Sequence, residues 1–319
     1  MVGGRAGPVA LGLAVDRLLG EPPAQLHPVA AFGRAMSRLE GVLWADRRSA
    51  GCGYVAIGVG GALLCGALAQ RVLGRRSALS VAVALCSAAR ALAAEAATVE
   101  QALLDGDLEA ARRALPALVG RDVAGLDEHG VARAVIESLA ENLSDAVVGT
   151  VWWALVAGAP GALGHRAANT LDAMVGHRCP RYRRFGWGAA RLDDAVGWVP
   201  ARLSALLVGV AKPSRAGAVW RVWHGEATAH PSPNAGVAEG AFAAALGVSL
   251  GGPTSYGGRE DPRPVLGDGG PPGPPDVRRA LDLFARAVTV LQLGVAGLWL
   301  GSRVLLRRRR PTGRSGVGR

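Results

Sequence analysis

The sequence predicts an all-α, polytopic membrane helical protein, with amphipathic helices and a polar site facing the cytoplasm. Three observations carry this prediction. Half of the 319 residues are hydrophobic but only 5% are aromatic, so the apolar content is mostly Ala, Val, Leu and Gly, a mixture that lets helices pack closely. The mean hydropathy is +0.23, high for a water-soluble chain. Several apolar runs approach the roughly 20 residues that a bilayer-crossing helix needs.

The strongest runs are residues 51–73, 145–163 and 281–306. Two weaker ones are 77–94, which carries Arg90, and 196–211, which carries Arg202. Four or five spans are expected. Residues 8–19 are too short to cross alone and suit a half-span or an interfacial helix. Residues 21–48 open on Pro22, Pro23 and Pro28 as a turn-rich loop, after which Phe32, Met36, Leu39 and Leu43 fall at helical spacing. Residues 95–142 read as two or three amphipathic helices, with Leu103, Leu104, Leu108, Leu115 and Leu118 on the apolar face and breaks at Gly106 and at 116–125. Residues 165–191 read as an Arg-rich loop and 212–276 as a loop-rich region. Its end, 251–275, is too dense in Gly and Pro for helix. No segment alternates with the period of a strand. One domain is expected over residues 1–306, followed by a basic, disordered tail at 307–319.

The net charge is +11, and Lys212 is the only lysine among 36 basic residues. The basic residues are scattered and no nucleic-acid reader motif accompanies them, so they suit the cytoplasmic loops of a membrane protein and not nucleic acid. The Arg307–Arg310 cluster and the 165–191 segment both ask for the cytoplasm, which gives a multi-pass protein of the cell membrane. Cys52, Cys65, Cys86 and Cys179 form no C-x-x-C pair and read as small hydrophobes in a reducing setting. The N-terminal apolar run meets Asp16 and Arg17 with no convincing cleavage site, so no signal peptide is expected. Walker, G-x-S-x-G and H-E-x-x-H motifs are absent, as is zinc-ligand spacing.

Polar constellations stand out against this background. Glu137, Glu141 and Asp145 are four apart and share a helical face. Three like charges there need a cation opposite, and oxygen-only ligands favour Mg²⁺ or Ca²⁺. The alternative is a solvated face, with Ser144 or Asp145 capping the next helix. The run leads straight into an apolar segment, where unpaired carboxylates are costly and usually functional. Arg166, Asn169 and Asp172 form a second face, suited to a phosphate with its magnesium or to a buried polar network. Around Arg191, Asp193, Asp194 and Arg202, one Asp is expected to face the site and the other to pair with an arginine. His230-Pro-Ser232-Pro-Asn234-Ala-Gly236, followed by Glu239, fixes a loop before a helix N-terminus, which either holds an anion or is only capped. Asp16 and His27 lie at the edges of the first loop, and His27 reads as structural more readily than as a base.

Taken in order, eight pieces carry a resemblance: Asp16-Arg-Leu-Leu-Gly-Glu-Pro-Pro with His27-Pro28-Val29; Gly120-Arg121-Asp122; the run from Glu137 through Glu141-Asn142 to Ser144-Asp145; Asn169-Thr-Leu-Asp172-Ala-Met-Val-Gly176; Phe185-Gly-Trp with Ala190-Arg191-Leu-Asp193-Asp194; Pro200-Ala-Arg202; Ser232-Pro-Asn234-Ala-Gly236; and Gly251-Gly-Pro with Tyr256-Gly-Gly258. Over about residues 11–258 the chain resembles the CobD/CbiB family of cobalamin biosynthesis, the adenosylcobinamide(-phosphate) synthases. Departures are modest: Glu21 where many members have Asp, Val151-Trp152-Trp153 for a more usual Phe-Trp, an expanded 259–275 stretch, and similarity only in hydrophobicity from Leu281 onward.

The resemblance implies an integral membrane carbon–nitrogen ligase. It would join aminopropanol or its phosphate to the free propionate of adenosylcobyric acid, using ATP and Mg²⁺. It implies catalytic carboxylates at Glu137, Glu141, Asp145 and Asp172, and a magnesium site among Glu141, Asp145, Asp172, Asp193 and Asp194. Substrate or phosphate would be met by Asp16, His27, Arg121, Asn142, Arg166, Asn169, Arg191, Arg202, Ser232 and Asn234. Further partners would be membrane lipid and other membrane-bound enzymes of cobamide assembly. The rivals are an AmpE-like signalling protein, a transporter and a corrinoid-binding module. A transporter would carry its ionisable residues near mid-span; here they sit at span ends.

Overall fold

The computed structural model describes residues 2–20, 22, 27–177, 179–256, 259–261 and 263–308. Glu21, Pro23, Arg178, Gly257, Gly258 and the tail from residue 309 onward, each part of a reading above, lie outside the described residues. The chain is almost entirely helical. The first seven helices are α1 (Val2–Leu19), α2 (Pro28–Leu43), α3 (Arg48–Val72), α4 (Arg75–Cys86), α5 (Ala89–Leu104), α6 (Leu108–Ala114) and α7 (Glu128–Asn142). A π-helical segment, Leu143–Val148, joins α7 to α8 (Gly149–Val175). Then follow α9 (Trp187–Ala211), α10 (Ala216–His224), α11 (Ala235–Leu246) and α12 (Pro274–Arg308).

Local chemistry sets several starts. His27 Nδ1 accepts from the Val29 amide at 3.2 Å, with Pro28 in the first helical position of α2. Asp107 accepts from Ala110 N at 2.8 Å and Asp127 from Gly130 N at 2.7 Å, opening α6 and α7. Neither Ser144 nor Asp145 caps a new helix, because the chain runs on from α7 into α8 through the π segment.

Among the described residues, five helical stretches are long and apolar enough to cross a membrane: Arg48–Val72, Arg75–Leu104, Glu128–Val175, Trp187–Ala211 and Pro274–Val304. Each overlaps one of the five runs read from the sequence, two of which, 51–73 and 281–306, end one or two residues beyond it. Residues 8–19 form the second half of α1, whose Ala6, Val9 and Leu13 are buried against α4 and α8.

One stretch is not a single rod. In α8 the backbone leaves helical geometry at Gly158 (φ 76°, ψ −156°), two residues before Pro160. Beyond it, Asn169 Nδ2 donates to Asp145 Oδ2 at 3.1 Å, and His165 Nε2 donates to the Asp145 carbonyl at 2.9 Å. A straight helix would hold residues 24 apart at about 36 Å, at roughly 1.5 Å per residue. The run expected as one span at 145–163 is therefore a tight helical hairpin, with legs 149–157 and 159–175. At its tip, Arg5 donates to the carbonyls of Leu155, at 3.0 Å, and of Val156, covering groups freed by the turn.

Two further readings change. The polar stretch at 165–175 is helix, because His165, Arg166, Asn169 and Asp172 recur every three or four residues along the second leg. The 212–276 region contains α10 and α11, and its Gly/Pro-rich end forms two small antiparallel ribbons. Leu250–Gly251 pairs with Val265–Leu266, and Thr254–Tyr256 with Arg259–Asp261.

The buried residues fall into separate cores. One is made by α1, α4, the hairpin and the far end of α12 (Val295). A second and larger core packs α5, α6, α7, the end of α9, α10, α11 and the first part of α12. A third, with Met36, Tyr54, Leu171 and Phe185, joins α2, α3, α8 and α9. The mouth of the hairpin lies where these cores meet.

The helices also have a common polarity. Against α1, α12 runs antiparallel: Arg17 bonds Gln292 at 2.8 Å and Ser302 bonds the Gly3 carbonyl at 3.2 Å. Gly158 packs beside Gln70 and Arg5. The α12 C-terminus thus lies at the tip end of the hairpin, opposite the 165–191 segment. The α12 end that leads into the Arg307–Arg310 cluster and the 165–191 segment, both expected on one side, therefore lie at opposite ends of the described helices.

Candidate active site

The hairpin assembles the site by bringing Asp145 on one leg against Asn169 on the other. The Asn169 side chain bonds both Asp145 and Asp193 of α9. Asp172, one turn further on, lies near Asp194 and Glu141. Gly176 allows this, since a Cβ there would fall 1.8 Å from Asp172 Oδ1. Arg166 Nη1 reaches Asn169 Oδ1 at 3.4 Å. Asp193 faces the other carboxylates, while Asp194 Oδ2 is 3.9 Å from Arg191. Arg202 instead donates to Asn234 Oδ1 at 2.9 Å, and Asn234 Nδ2 donates to the Asp194 carbonyl at 2.9 Å. Asn234 therefore ties the start of α11 to α9.

A second group borders this one through Glu141. Glu137 is 2% exposed and both its oxygens are engaged, Oε2 by Arg121 at 2.6 Å and Oε1 by the Gly251 amide at 2.8 Å. Arg133 donates to the Gly251 carbonyl at 2.8 Å, so α7 holds the Gly251 turn from both sides. Glu239, in the middle of α11, is fully buried, with Arg263 at 3.8 Å from its Oε1. Burial, with Glu141 and Glu137 beside it, pushes the Glu239 carboxyl well above the usual carboxylate range. Burial pulls the His230 imidazolium the other way, and its Nδ1 accepts from the Ser232 amide at 3.1 Å.

Several sequence candidates make local structure. His27 caps α2. Ser232 Oγ accepts from the amides of Asn234 and Ala235, both at 3.3 Å, and so caps α11. Asn142 turns back onto its own helix, donating to the Ser138 carbonyl at 2.9 Å. Asp16 is buried in the last turns of α1. Site neighbours absent from the sequence reading are Arg133 and Arg263. Glu239 had a legible signal, a lone carboxylate within the apolar run of α11.

The donor chemistry around Asn169 suits magnesium: clustered carboxylate oxygens without a thiol, the neighbouring His165 being turned to the Asp145 carbonyl. Among the described residues no group of three or more His, Cys, Asp or Glu is drawn together as a metal-holding set. That fits an ion bound through one or two carboxylates and completed by water and substrate phosphate, the usual habit of Mg²⁺.

On the far side of the second hairpin leg lies a groove of about 870 Å³ between α1, α2, α5 and α8. Arg166 and Thr170 line it, with His27 at its rim.

A family model described as CobD/Cbib protein matches residues 9–284. A Mycobacterium tuberculosis (strain ATCC 25618 / H37Rv) protein named Cobalamin biosynthesis protein CobD is 46% identical over 314 residues, covering 96% of this chain and 97% of the relative. Proteins of the same name from Chromobacterium violaceum and Rhodobacter capsulatus are each 42% identical, over 304 and 310 residues; each alignment covers 91% of this chain, and 92% and 97% of those relatives. No solved structure matches. With a family match over most of its length and relatives aligned nearly end to end, the chain belongs to the CobD/CbiB family.

Proposed function

We propose that this protein serves cobalamin biosynthesis as an ATP- and Mg²⁺-dependent ligase. It joins aminopropanol or its phosphate to the free propionate of adenosylcobyric acid through an amide bond. The observation that carries this reading is the hairpin mouth, where Asp145, Asp172 and Asp193 gather around Asn169. So dense a set of acids at the end of apolar helices needs a cationic partner, and a magnesium nucleotide is one. The relatives' shared name and the family resemblance supply the corrinoid substrate.

In this reading one or two carboxylates from Asp145, Asp172, Asp193, Asp194 and Glu141 would hold the ion, with water and phosphate completing its shell. Bound there, the ion neutralises phosphate charge and orients the nucleotide for in-line transfer. Arg166, Arg191 and Arg202 border the cluster and meet phosphate or corrin side-chain acids. ATP would activate the propionate, its terminal phosphoryl group passing to the carboxylate oxygen and the nucleoside diphosphate leaving. The amine nitrogen would then form the C–N bond, the phosphoryl group leaving with that oxygen, and a carboxylate of the cluster not engaged with the ion would take the proton from nitrogen. Glu137 and Arg121 hold the Gly251 turn over the site. In this reading the site end faces the cytoplasm, where ATP is available; the arginines do not decide the side, since Arg34, Arg48, Arg181 and Arg184 lie at this end and Arg71, Arg75, Arg76 and Arg303 at the other.

The test is reconstitution in vesicles with adenosylcobyric acid, ATP, Mg²⁺ and either amine. Mass spectrometry should show the amide product, dependent on all four components. Folded protein that forms no amide with either amine would return the chain to a non-catalytic role, such as AmpE-like signalling or transport.

A further inference from the structure

Helix α11 is built of small and apolar residues except at Glu239, which lies in its middle and is fully buried. Neither carboxyl oxygen of Glu239 has a hydrogen-bond donor. Arg263 stands 3.8 Å from Oε1, in ion-pair range but short of a hydrogen bond. The group that does come within bonding reach is a second carboxylate, Glu141. Two carboxylates meet only with a proton or a cation between them.

His230 brings a second unmet group to the same place. It is 8% exposed and its Nε2 has no partner. Its Nδ1 is taken up by Ser232, 3.1 Å from both the amide and the carbonyl of that residue. Gly236 makes room for the ring, since a Cβ there would fall 2.4 Å from the His230 Cβ. His230 thus lies against the first turn of α11, on the face that carries Glu239 three residues later. Both side chains have Glu141, Glu137 and Arg263 as neighbours. Glu137 is already engaged by Arg121 and the Gly251 amide, and Arg133 by the Gly251 and Pro253 carbonyls. Glu239 and His230 Nε2 are left unmatched beside Glu141.

A primary ammonium group answers this arrangement. It carries one positive charge and three N–H donors in little more room than a water molecule. A hydroxyl on the neighbouring carbon both donates and accepts, so it meets His230 Nε2 in either tautomer. We propose that Glu239, Glu141 and His230 form the subsite for the amine co-substrate, with the ammonium between the two carboxylates and the neighbouring oxygen at His230 Nε2. The proposal rests on the ligase reading and adds Glu239 and His230 to it. Glu141 is half-buried and also borders Asp145 and Asp172, so the nitrogen is held beside the cluster where the propionate is activated.

The test is ligand titration of the full-length protein in a maltoside detergent, read by saturation-transfer NMR, with and without Mg²⁺ and a non-hydrolysable ATP analogue. The ligands are 1-amino-2-propanol, propylamine and 1,2-propanediol. Both amines should bind and the diol should not. Glu239→Gln keeps the size of the side chain and removes its charge. It should weaken both amines at least about tenfold, the scale of one charge-assisted hydrogen bond, at an unchanged thermal midpoint. His230→Asn should bind the amino alcohol no better than propylamine. Glu128→Gln, exposed at the start of α7, is the control. The proposal is overturned if the wild-type protein binds neither amine under either condition, or if Glu239→Gln binds both like the control. Amine binding without amide formation would strike the ligase reaction and leave the ammonium site. Amide formation with an unchanged KM for the amine in Glu239→Gln would strike the subsite and leave the ligase.

Discussion

Asn169 is the residue around which the acids are arranged. Its amide group bonds Asp145 and Asp193 and so holds two carboxylates at a distance their charges oppose. Removing one of those charges without changing shape should therefore not harm the fold. Asp145→Asn and Asp172→Asn are expected to keep wild-type expression and thermal midpoint while lowering kcat by about 10²-fold or more. Wild-type turnover in both variants would sink the assignment of these carboxylates to the reacting centre. Glu137 behaves differently. Its pair with Arg121 is buried on both sides, and removing one partner of such a pair costs about 3–5 kcal/mol. Loss of activity on mutating Glu137 would thus arrive together with loss of stability.

At the scale of elements, the hairpin is what turns a distant pair of motifs into a site. Its legs touch closely at Gly149, where a Cβ would come within 2.0 Å of His165 Nε2, the atom bonded to the Asp145 carbonyl. Gly149→Ala should push the ring aside, cost about 1–3 kcal/mol as an overpacked contact, and reduce turnover with it. Gly53→Ala, on α3 with nothing within 4 Å, is the control. A midpoint for Gly149→Ala equal to that of Gly53→Ala would mean that the legs are not packed as described. The apolar helices were legible in the sequence because burial and lipid ask for the same residues over a full span. The reversal at Gly158 was not, because a Gly-Ala-Pro turn inside an Ala- and Gly-rich run leaves hydropathy unchanged. Pro160 two residues after Gly158 was the available signal. The second leg was read as part of an Arg-rich loop because its residues are polar, although Arg166, Asn169 and Asp172, three apart, already gave one helical face. Individual motifs at Asp145, Asn169, Asp172 and Asp193 were legible from the resemblance. Their meeting point was not, since it depends on that turn.

For the whole molecule the consequence is topological. α3 runs from Gly51, packed on Phe185 near the site, to Gly66, packed on Pro160 near the hairpin tip. α4 returns: Ser80 bonds the Pro8 carbonyl and Arg90 the Leu18 carbonyl, alongside α1. The turn between α3 and α4, the hairpin tip and the end of α12 therefore share one end of the layer, and the carboxylates sit at the other. At roughly 1.5 Å per residue the second leg rises about 25 Å, most of the way across a hydrocarbon core of about 30 Å, while the first rises about 14 Å and is continued toward the site by the π segment and α7. If these helices cross the bilayer, the two ends face different compartments. In a background with Cys52, Cys65, Cys86 and Cys179 replaced, single cysteines test this directly. Arg183→Cys marks the site end, and Arg75→Cys and Gly301→Cys mark the tip end; all three positions are exposed. An impermeant maleimide should label Arg183→Cys in inside-out vesicles, and the other two in right-side-out vesicles. Labelling of all three from one side would show that the apolar layer does not cross the membrane. Opposite sides with the order reversed would keep the fold but move the carboxylates outside. There ATP is scarce, and the ligase reading would fall while the hairpin stood.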